Sequence, residues 1–332
     1  MLLRRRGFAT LASVVALALL ATACASSGDG EGSSGARRPG GGGLVAQVAS
    51  YDVVAGRDGR FILGLLASDK TKVVSFGTVQ LAFSYLGTKQ ARLERPEAAA
   101  TVTASFLPIP GQRLDLSVPG PRYVEGSEGT GVYAARDVRF DRAGLWEVRA
   151  SASLDGERRS ATAAFEVLAD SPIPAVGEPA PRTQNPLPGA PGTDPKSIDS
   201  RAGPTEPIPD PELHSTTVAA AIVARLPLMV VVSTPTYCTS RFCGPITDAV
   251  SALAKRHGAQ MAFVHLEVWR DFEKGQVNEA AKEWIFPPGT EDAREPWVFV
   301  VNRAGVITDR LDNVAGEAEL DQAVQEVLQA GG

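Results

Sequence analysis

Two of the three cysteines in the chain, Cys238 and Cys243, stand five positions apart. A thiol pair at this spacing is compatible with three kinds of chemistry. It can exchange disulfides with another protein through a mixed disulfide. It can form an inert disulfide that stabilises the fold, or it can bind a soft metal ion. The third cysteine, Cys24, follows an apolar N-terminal stretch and has a separate interpretation.

The backbone between the two cysteines limits how they can pair. In a regular helix, residues five apart are turned by about 140° and their Cα atoms lie roughly 8–9 Å apart. A disulfide reaches about 7 Å at most, so the spacer must be a loop or a distorted turn if the pair closes. Pro245 favours the first turn of a helix, where no amide donor is needed. We therefore predict Cys238 in a loop and Cys243 at a helix N-terminus.

A thiolate at a helix N-terminus faces unpaired amides and the positive end of the helix dipole. Arg241 adds positive charge nearby. Both effects lower the pKa of a thiol and increase its reactive thiolate fraction. On this argument Cys243 is the candidate for the sulfur with the lower pKa, and Cys238 is its partner.

The elements around the pair alternate between helix and strand from residue 213 onward. A fully apolar strand, Leu228 to Val232, precedes the cysteines, and a helix follows them. Pro296 then opens a later strand. The remaining predicted elements are a helix starting at Thr216 or Thr217, a strand over 260–269, a polar helix over 271–284, a hairpin over 295–311 and a last helix over 316–329.

This order, with the cysteine motif after the first strand, Pro296 before the third and a turn at Asn302–Gly305, resembles the thioredoxin fold. Over its last 120 residues or so, the chain resembles a thioredoxin-like lipoprotein. Val176 to Pro181 resembles the lead-in "VGxxAP" of exported thiol–disulfide domains. The resemblance implies catalytic positions at Cys238, Cys243 and Pro296, with the proline cis and against the sulfurs.

Two alignments with that family remain open. Tyr237-Cys238 matches its aromatic–cysteine dipeptide, and Phe242-Cys243-Gly244-Pro245 matches its "WCGP" motif. Tyr237, Arg241, Gly244 and Pro245 are accordingly predicted to support the site. The family analogy favours the first cysteine as nucleophile, in contrast to the dipole argument. Many thioredoxins bury an acidic residue in the strand before the motif, and this chain has none there.

The part of the chain before residue 169 has a β pattern. Residues 144–152 alternate apolar and polar side chains, and Asp155-Gly156 supplies a hairpin turn. Repeated short strands predict an antiparallel β-sandwich that resembles immunoglobulin-like bacterial domains. Trp146 is predicted to lie in its core. The expected fold class is thus multidomain: an immunoglobulin-like β-sandwich over 44–168 and a C-terminal α/β thioredoxin-like fold over 213–332.

The segment over 169–212 is predicted to be a proline-rich linker, since it holds about half of the 24 prolines in the chain. Such a composition favours an extended course over the surface and acts as a semi-rigid spacer.

The N-terminus resembles a bacterial lipoprotein signal over residues 1–23. Arg4 to Arg6 form a basic region, a short apolar stretch follows, and Cys24 is the expected site of lipid attachment. Arg5-Arg6 also resembles a twin-arginine export pattern. Residues 24–43 are predicted to be a flexible Gly/Ser tether. The alternative is an ordinary secretory signal. Either way, we expect the mature chain outside the cytoplasm, where disulfides persist.

The function predicted from these features is a membrane-anchored, extracytoplasmic thiol–disulfide oxidoreductase. Its expected partners are protein thiols and disulfides, and no cofactor is predicted. A net charge of −5, with the basic cluster confined to the signal, argues against nucleic-acid binding.

Two alternatives remain open. One is a non-catalytic, surface-binding lipoprotein with a structural disulfide. The other is a copper-binding protein of the Sco type, which needs a histidine besides the two cysteines. The three candidates are His214, His257 and His265, and none precedes Pro296 closely.

Overall fold

The computed structural model describes residues 43–332, except for 126–129, 291–292 and 331–332. All the described residues fall within one compact unit, Pro39–Gly332. The predicted signal, Cys24 and the tether up to residue 42 lie outside the described residues. No helix in the described part of the chain is long and apolar enough to cross a bilayer.

Nine antiparallel strands form the first sheet. Their order is β6-β3-β2-β7-β5-β4-β8-β9, and β1 also pairs with β2. Val, Phe and Tyr recur along these strands, as is usual for half-buried pleated surfaces. The strands are β1 (Leu44–Val48), β2 (Asp58–Ala67), β3 (Lys72–Ser75), β4 (Thr78–Gly87), β5 (Arg92–Pro108), β6 (Arg122–Glu125), β7 (Gly131–Arg139), β8 (Gly144–Leu154) and β9 (Glu157–Val167).

Aromatic side chains fill the core of this sheet. Phe61 in β2 lies 5.0 Å, between ring centroids, from Phe165 in β9. These strands are far apart in the sheet order, so the sheet folds over until its two ends face each other. Trp146 is 2% exposed, which confirms its predicted place in the core, and its indole N–H donates to the carbonyl of Arg142 at 3.2 Å.

The second sheet has four strands in the order β11-β10-β14-β15. Its central pair, β10 (Leu228–Ser233) and β14 (Trp297–Val301), is antiparallel. β10 is parallel to β11 (Ala262–Glu267), and β15 (Ile307–Asp312) closes the other edge. The remaining elements are α1 (Val218–Val223), α2 (Cys243–His257), the small hairpin β12 (Trp269–Asp271) and β13 (Gln276–Val277), α3 (Glu279–Ile285) and α4 (Glu317–Gln329).

Helices cover both faces of this sheet, so its central strands are apolar throughout. Val230 and Val232 of β10 face α1 and α3, where Trp284 is fully buried. Met229 and Val231 point to the opposite face and pack with α2 and α4. A strand buried on both faces loses the alternation of polar and apolar residues, and this explains the continuous run from Leu228 to Val232.

The predicted fold class is wrong. The protein is mostly β, with 40% strand and 17% helix, and its first nine strands form one continuous sheet. Helices are few, so an α/β thioredoxin-like domain is not shown. The predicted polar helix over 271–284 is much shorter in the structure. Gly275, with φ +63°, turns the chain between β12 and β13, and only Glu279–Ile285 is helical. Local periodicity identifies elements but not the partners they pair with.

Parts of the proline-rich segment over 169–212 pack against the second sheet, and other parts of it are exposed. Ala180 and Ile198 are almost fully buried, and Pro179 forms a bridge with Val306 beside β15. Proline has no backbone N–H, so this irregular segment has fewer backbone donors that need a hydrogen-bond partner. The predicted domain boundaries remain predictions.

Buried ion pairs tie the first sheet to the second. Arg60 of β2, whose side chain is 7% exposed, donates to Glu319 of α4 at 2.8 Å and to the backbone carbonyl of Asp312 at 2.7 Å. Burial raises the pKa of the Asp312 carboxyl, and the charge of Arg60 partly opposes this effect. A second buried pair joins Arg310 to Asp52 at 2.6 Å.

We expect Arg60→Met to lower the free energy of unfolding by about 3–5 kcal/mol, because it leaves Asp312 buried without its paired cation and Glu319 with only the partly exposed Arg136. Urea denaturation of the oxidised protein measures this loss. The control is Arg139→Met, which breaks an exposed pair with Asp58 and should cost less than about 1 kcal/mol. Equal losses in the two variants would contradict the role of Arg60.

Candidate functional site

Cys238 and Cys243 form a disulfide, with their Cα atoms 6.0 Å apart. α2 begins at Cys243, and Pro245 lies in its first turn, as predicted. The loop before it contains Arg241 in the left-handed region, at φ +64°. This residue reverses the chain, so the spacer is not helical and the sulfurs come within bonding reach.

The two sulfurs have different environments. Cys243 is completely buried, whereas Cys238 is partly exposed. The backbone N–H of Cys243, at the start of α2, donates to the sulfur of Cys238 at 3.4 Å. The amide group that we expected to act on Cys243 therefore points at Cys238. The hydroxyl of Ser240 also lies 3.2 Å from the Cys238 sulfur.

The Glu295–Pro296 peptide bond is cis, as the sequence predicts. Trp297, the next residue, pairs with Val232 near the end of β10. This register places Glu295 and Pro296 beside the start of the disulfide loop. A carboxylate oxygen of Glu295 lies within 4.8 Å of both cysteine sulfurs. Burial raises the pKa of Glu295, so the neutral, proton-donating form is favoured here more than in water.

The first sheet contributes Tyr51 to this site. Its hydroxyl donates to the backbone carbonyl of Glu295 at 2.8 Å, and the hydroxyl of Ser240 donates to the same carbonyl at 3.4 Å. Burial, followed by the charges of Asp312 and Glu295, raises the pKa of Tyr51. Tyr51 therefore acts as a neutral hydrogen-bond donor that holds the chain at Glu295.

The other supporting residues lie around the loop. Tyr237 stacks on Phe272, with ring centroids 4.0 Å apart and planes 3° apart. Gly244 lies in the first turn of α2, and a Cβ there would only touch the carbonyl of Pro235, at 4.0 Å. A methyl group fits at that distance, so packing does not require glycine.

A cavity of about 510 Å³ opens beside the disulfide loop. Ser240, Phe242 and Arg294 line one side of it, and residues of β1 and β2 line the other. Phe242 also packs against Ile62 and neighbouring apolar residues of the first sheet. The cavity thus lies between the first sheet and the residues of the disulfide loop.

Glu295, Ser240 and Tyr51 were missed as site residues by the sequence analysis. Glu295 directly precedes Pro296, so its place beside a predicted site proline was a usable signal. Tyr51 carried no such signal, because 244 positions separate it from Glu295. Together, Cys238, Cys243 and Glu295 offer possible metal ligands, and no histidine among the described residues joins that group.

No family model matches the chain, and no curated protein matches it. One solved structure with partial similarity is the crystal structure of Spo0M, a sporulation control protein from Bacillus subtilis. The two chains are 7% identical, with a TM-score of 0.22. The similar region covers 39% of this chain and 49% of Spo0M, or about half of its length. Similarity at this level carries no argument about fold or function.

We expect Glu295→Gln to change how stability depends on pH. Because burial raises the pKa of Glu295 in the folded state, the folded protein holds more protons than the unfolded chain between the two pKa values. Wild-type stability should therefore fall as pH rises from the ordinary pKa of glutamate, about 4.3, through the raised folded value. Glutamine removes this contribution.

The stability difference, variant minus wild type, should accordingly grow with pH over that window and then level off. Urea denaturation of both oxidised proteins from acid to neutral pH measures it. Glu94→Gln, at an exposed position of β5, is the control. A difference that stays constant with pH, or that shrinks, would show that Glu295 is not buried as a proton-binding group.

Proposed function

We propose that the protein exchanges thiols and disulfides with other proteins through the Cys238–Cys243 pair. The observation that carries this proposal is the asymmetry of the pair. One sulfur is partly exposed and accepts a hydrogen bond from a helix N-terminal amide, while the other is buried beside it. An exchange centre needs one sulfur that a partner can reach and one that remains protected until it resolves the mixed disulfide.

The exchange starts when a partner thiolate attacks the sulfur of Cys238. A mixed disulfide forms, the bond between Cys238 and Cys243 breaks, and Cys243 leaves as a thiolate. A second thiolate of the partner then attacks the partner's own sulfur in the mixed disulfide and releases Cys238 as a thiolate. The partner loses two electrons and becomes a disulfide, and the protein gains them as a dithiol. The reverse sequence reduces a partner disulfide.

Protein groups assist each step. The N–H of Cys243 stabilises the thiolate of Cys238, which makes Cys238 the better leaving and attacking group. Glu295 lies within 4.8 Å of both sulfurs, and its raised pKa suits it to give a proton to the departing Cys243 thiolate. Tyr51 keeps the Glu295 segment in position.

The location of the protein belongs to the same proposal. We propose that the chain is exported and anchored to the membrane by lipid on Cys24. Such a location supplies partner proteins whose disulfides form outside the cytoplasm. The alternative function, a surface-binding lipoprotein with an inert disulfide, is favoured by the full burial of Cys243. A reduction potential below about −300 mV is typical of such structural disulfides.

We expect Cys243→Ser to accumulate a mixed disulfide on Cys238. The purified variant is treated with oxidised glutathione, and the adduct is measured by mass spectrometry. Cys238→Ser should react at least about tenfold more slowly, because its remaining thiol is buried and lacks the amide contact. Equal, slow reaction of both variants, together with a potential below about −300 mV, would identify a structural disulfide and refute the exchange function.

Lipid attachment is tested separately. Cys24→Ala should abolish incorporation of labelled fatty acid and move the protein from the membrane to the soluble fraction. Cys243→Ser serves as the control and should still incorporate label. Retention of label by Cys24→Ala would refute the anchor without affecting the exchange chemistry.

A further inference from the structure

Three buried side chains from distant parts of the chain converge beside β11. Asp199 comes from the proline-rich segment, His214 from the turn before α1, and His265 from β11 itself. Their side chains are at most 1% exposed. One ligand atom from each lies within 4.8 Å of the other two. The cluster is distinct from the disulfide site and plays no part in the proposed exchange.

The ring of His265 is oriented as a metal ligand would be. Its Nε2 lies 3.2 Å from the backbone carbonyl of Ser233. A carbonyl oxygen only accepts, so this nitrogen carries the proton in a neutral ring. The other nitrogen, Nδ1, then presents a lone pair towards Asp199 Oδ2 at 3.7 Å. Metal-bound histidines usually donate their second nitrogen to a backbone carbonyl or carboxylate in this way.

The two histidine nitrogens that face Asp199 make no hydrogen bonds that would explain why they are buried there. His214 Nε2 also lies 3.7 Å from Asp199 Oδ2, and this distance is too long for a hydrogen bond. Neither His214 Nε2 nor His265 Nδ1 has a hydrogen-bond partner among the described residues. Buried polar atoms without partners are costly, and two of them here point at the same carboxylate oxygen.

Arg201 forms hydrogen bonds with the carboxylate of Asp199. It donates to Asp199 Oδ1 from Nε at 3.0 Å and to Oδ2 from NH2 at 2.7 Å. Burial opposes ionisation of Asp199, but the proximity of His214 and the hydrogen bonds from Arg201 outweigh this and lower its pKa. Carboxylates that bind metal ions commonly hold such a second hydrogen-bonding partner, and Oδ2 is also the atom that lies 3.7 Å from each ring nitrogen.

We propose that Asp199, His214 and His265 bind a divalent transition-metal ion of the zinc class. Two imidazole nitrogens and one carboxylate oxygen are the donors that such ions take, with water in the fourth position. At metal–ligand distances of about 2.0–2.1 Å, tetrahedral ligands lie roughly 3.4 Å apart. The two observed separations from Asp199 Oδ2, 3.7 Å each, exceed this by only a few tenths of an ångström, and the third separation, between the two histidine nitrogens, is below 4.8 Å.

Such an ion connects the irregular segment to the second sheet. Asp199 and His214 bracket the stretch that leads into α1, and His265 lies in register with Val231 of β10. The carbonyl that orients His265 belongs to Ser233, the last residue of β10, five positions before Cys238. The ion would thus stabilise the end of the strand from which the disulfide loop departs.

The test measures metal binding by the oxidised full chain carrying Cys24→Ala, so that no free thiol competes. After treatment with a chelator, Zn²⁺ titration by calorimetry should give one ion per chain. His214→Ala, His265→Ala and Asp199→Asn should each weaken binding by about a hundredfold or more. His257→Ala, a histidine at the end of α2 and outside the cluster, should bind like the parent.

X-ray absorption of the Zn²⁺-loaded parent protein avoids reliance on variants that fail to fold. It should show two imidazole ligands and no sulfur ligand. The proposal is overturned if the parent binds no Zn²⁺, if the His214 and His265 variants bind as tightly as the parent, or if the absorption spectrum shows sulfur or fewer than two imidazoles. None of these outcomes bears on the exchange of disulfides at Cys238.

Discussion

Neutralisation of buried charge at the contact between the two sheets is the constraint on which the rest of the structure depends. Arg60 leaves β2 and lies between Asp312 and Glu319, while Arg310 reaches back to Asp52. Each of these charges would be costly if it were buried alone. The pairs join β2 and Asp52 to β15 and α4, so removing one partner would leave a buried charge uncompensated.

In this arrangement, residues from the parts of the chain that form both sheets contribute to the candidate site. The backbone N–H of Tyr51 donates to Asp312, beside the Arg60 pairs, and its hydroxyl reaches the carbonyl of Glu295. Glu295 in turn lies close to both sulfurs. Interactions that hold the sheets together therefore also orient the acid beside the disulfide. The β-rich first part consequently has a direct structural role at the site.

β10 links the disulfide loop to the buried cluster of Asp199, His214 and His265. Its end leads into the disulfide loop, and the carbonyl of Ser233 there receives the hydrogen bond of His265. The parallel neighbour β11 carries His265 into the core, where Asp199 and His214 meet it. Histidine and aspartate are seldom buried without compensating partners. Their convergence gives the irregular proline-rich segment a defined attachment to the sheet.

Structural features that depend on residues close together in the chain could be predicted from the sequence alone. The spacing of Cys238 and Cys243 required a non-helical connection, Pro245 marked the start of α2, and the continuous apolar run identified β10 as a doubly covered strand. Alternating polarity identified strands but not their order, and the expected pairing of a sandwich with a thioredoxin-like domain was therefore wrong. Tyr51 and Arg60 gave no local signal, because the groups that satisfy their polar atoms lie far away in the chain. Only long-range packing could decide which buried charges and donors meet, since most buried polar groups are stable only where a hydrogen-bond partner lies.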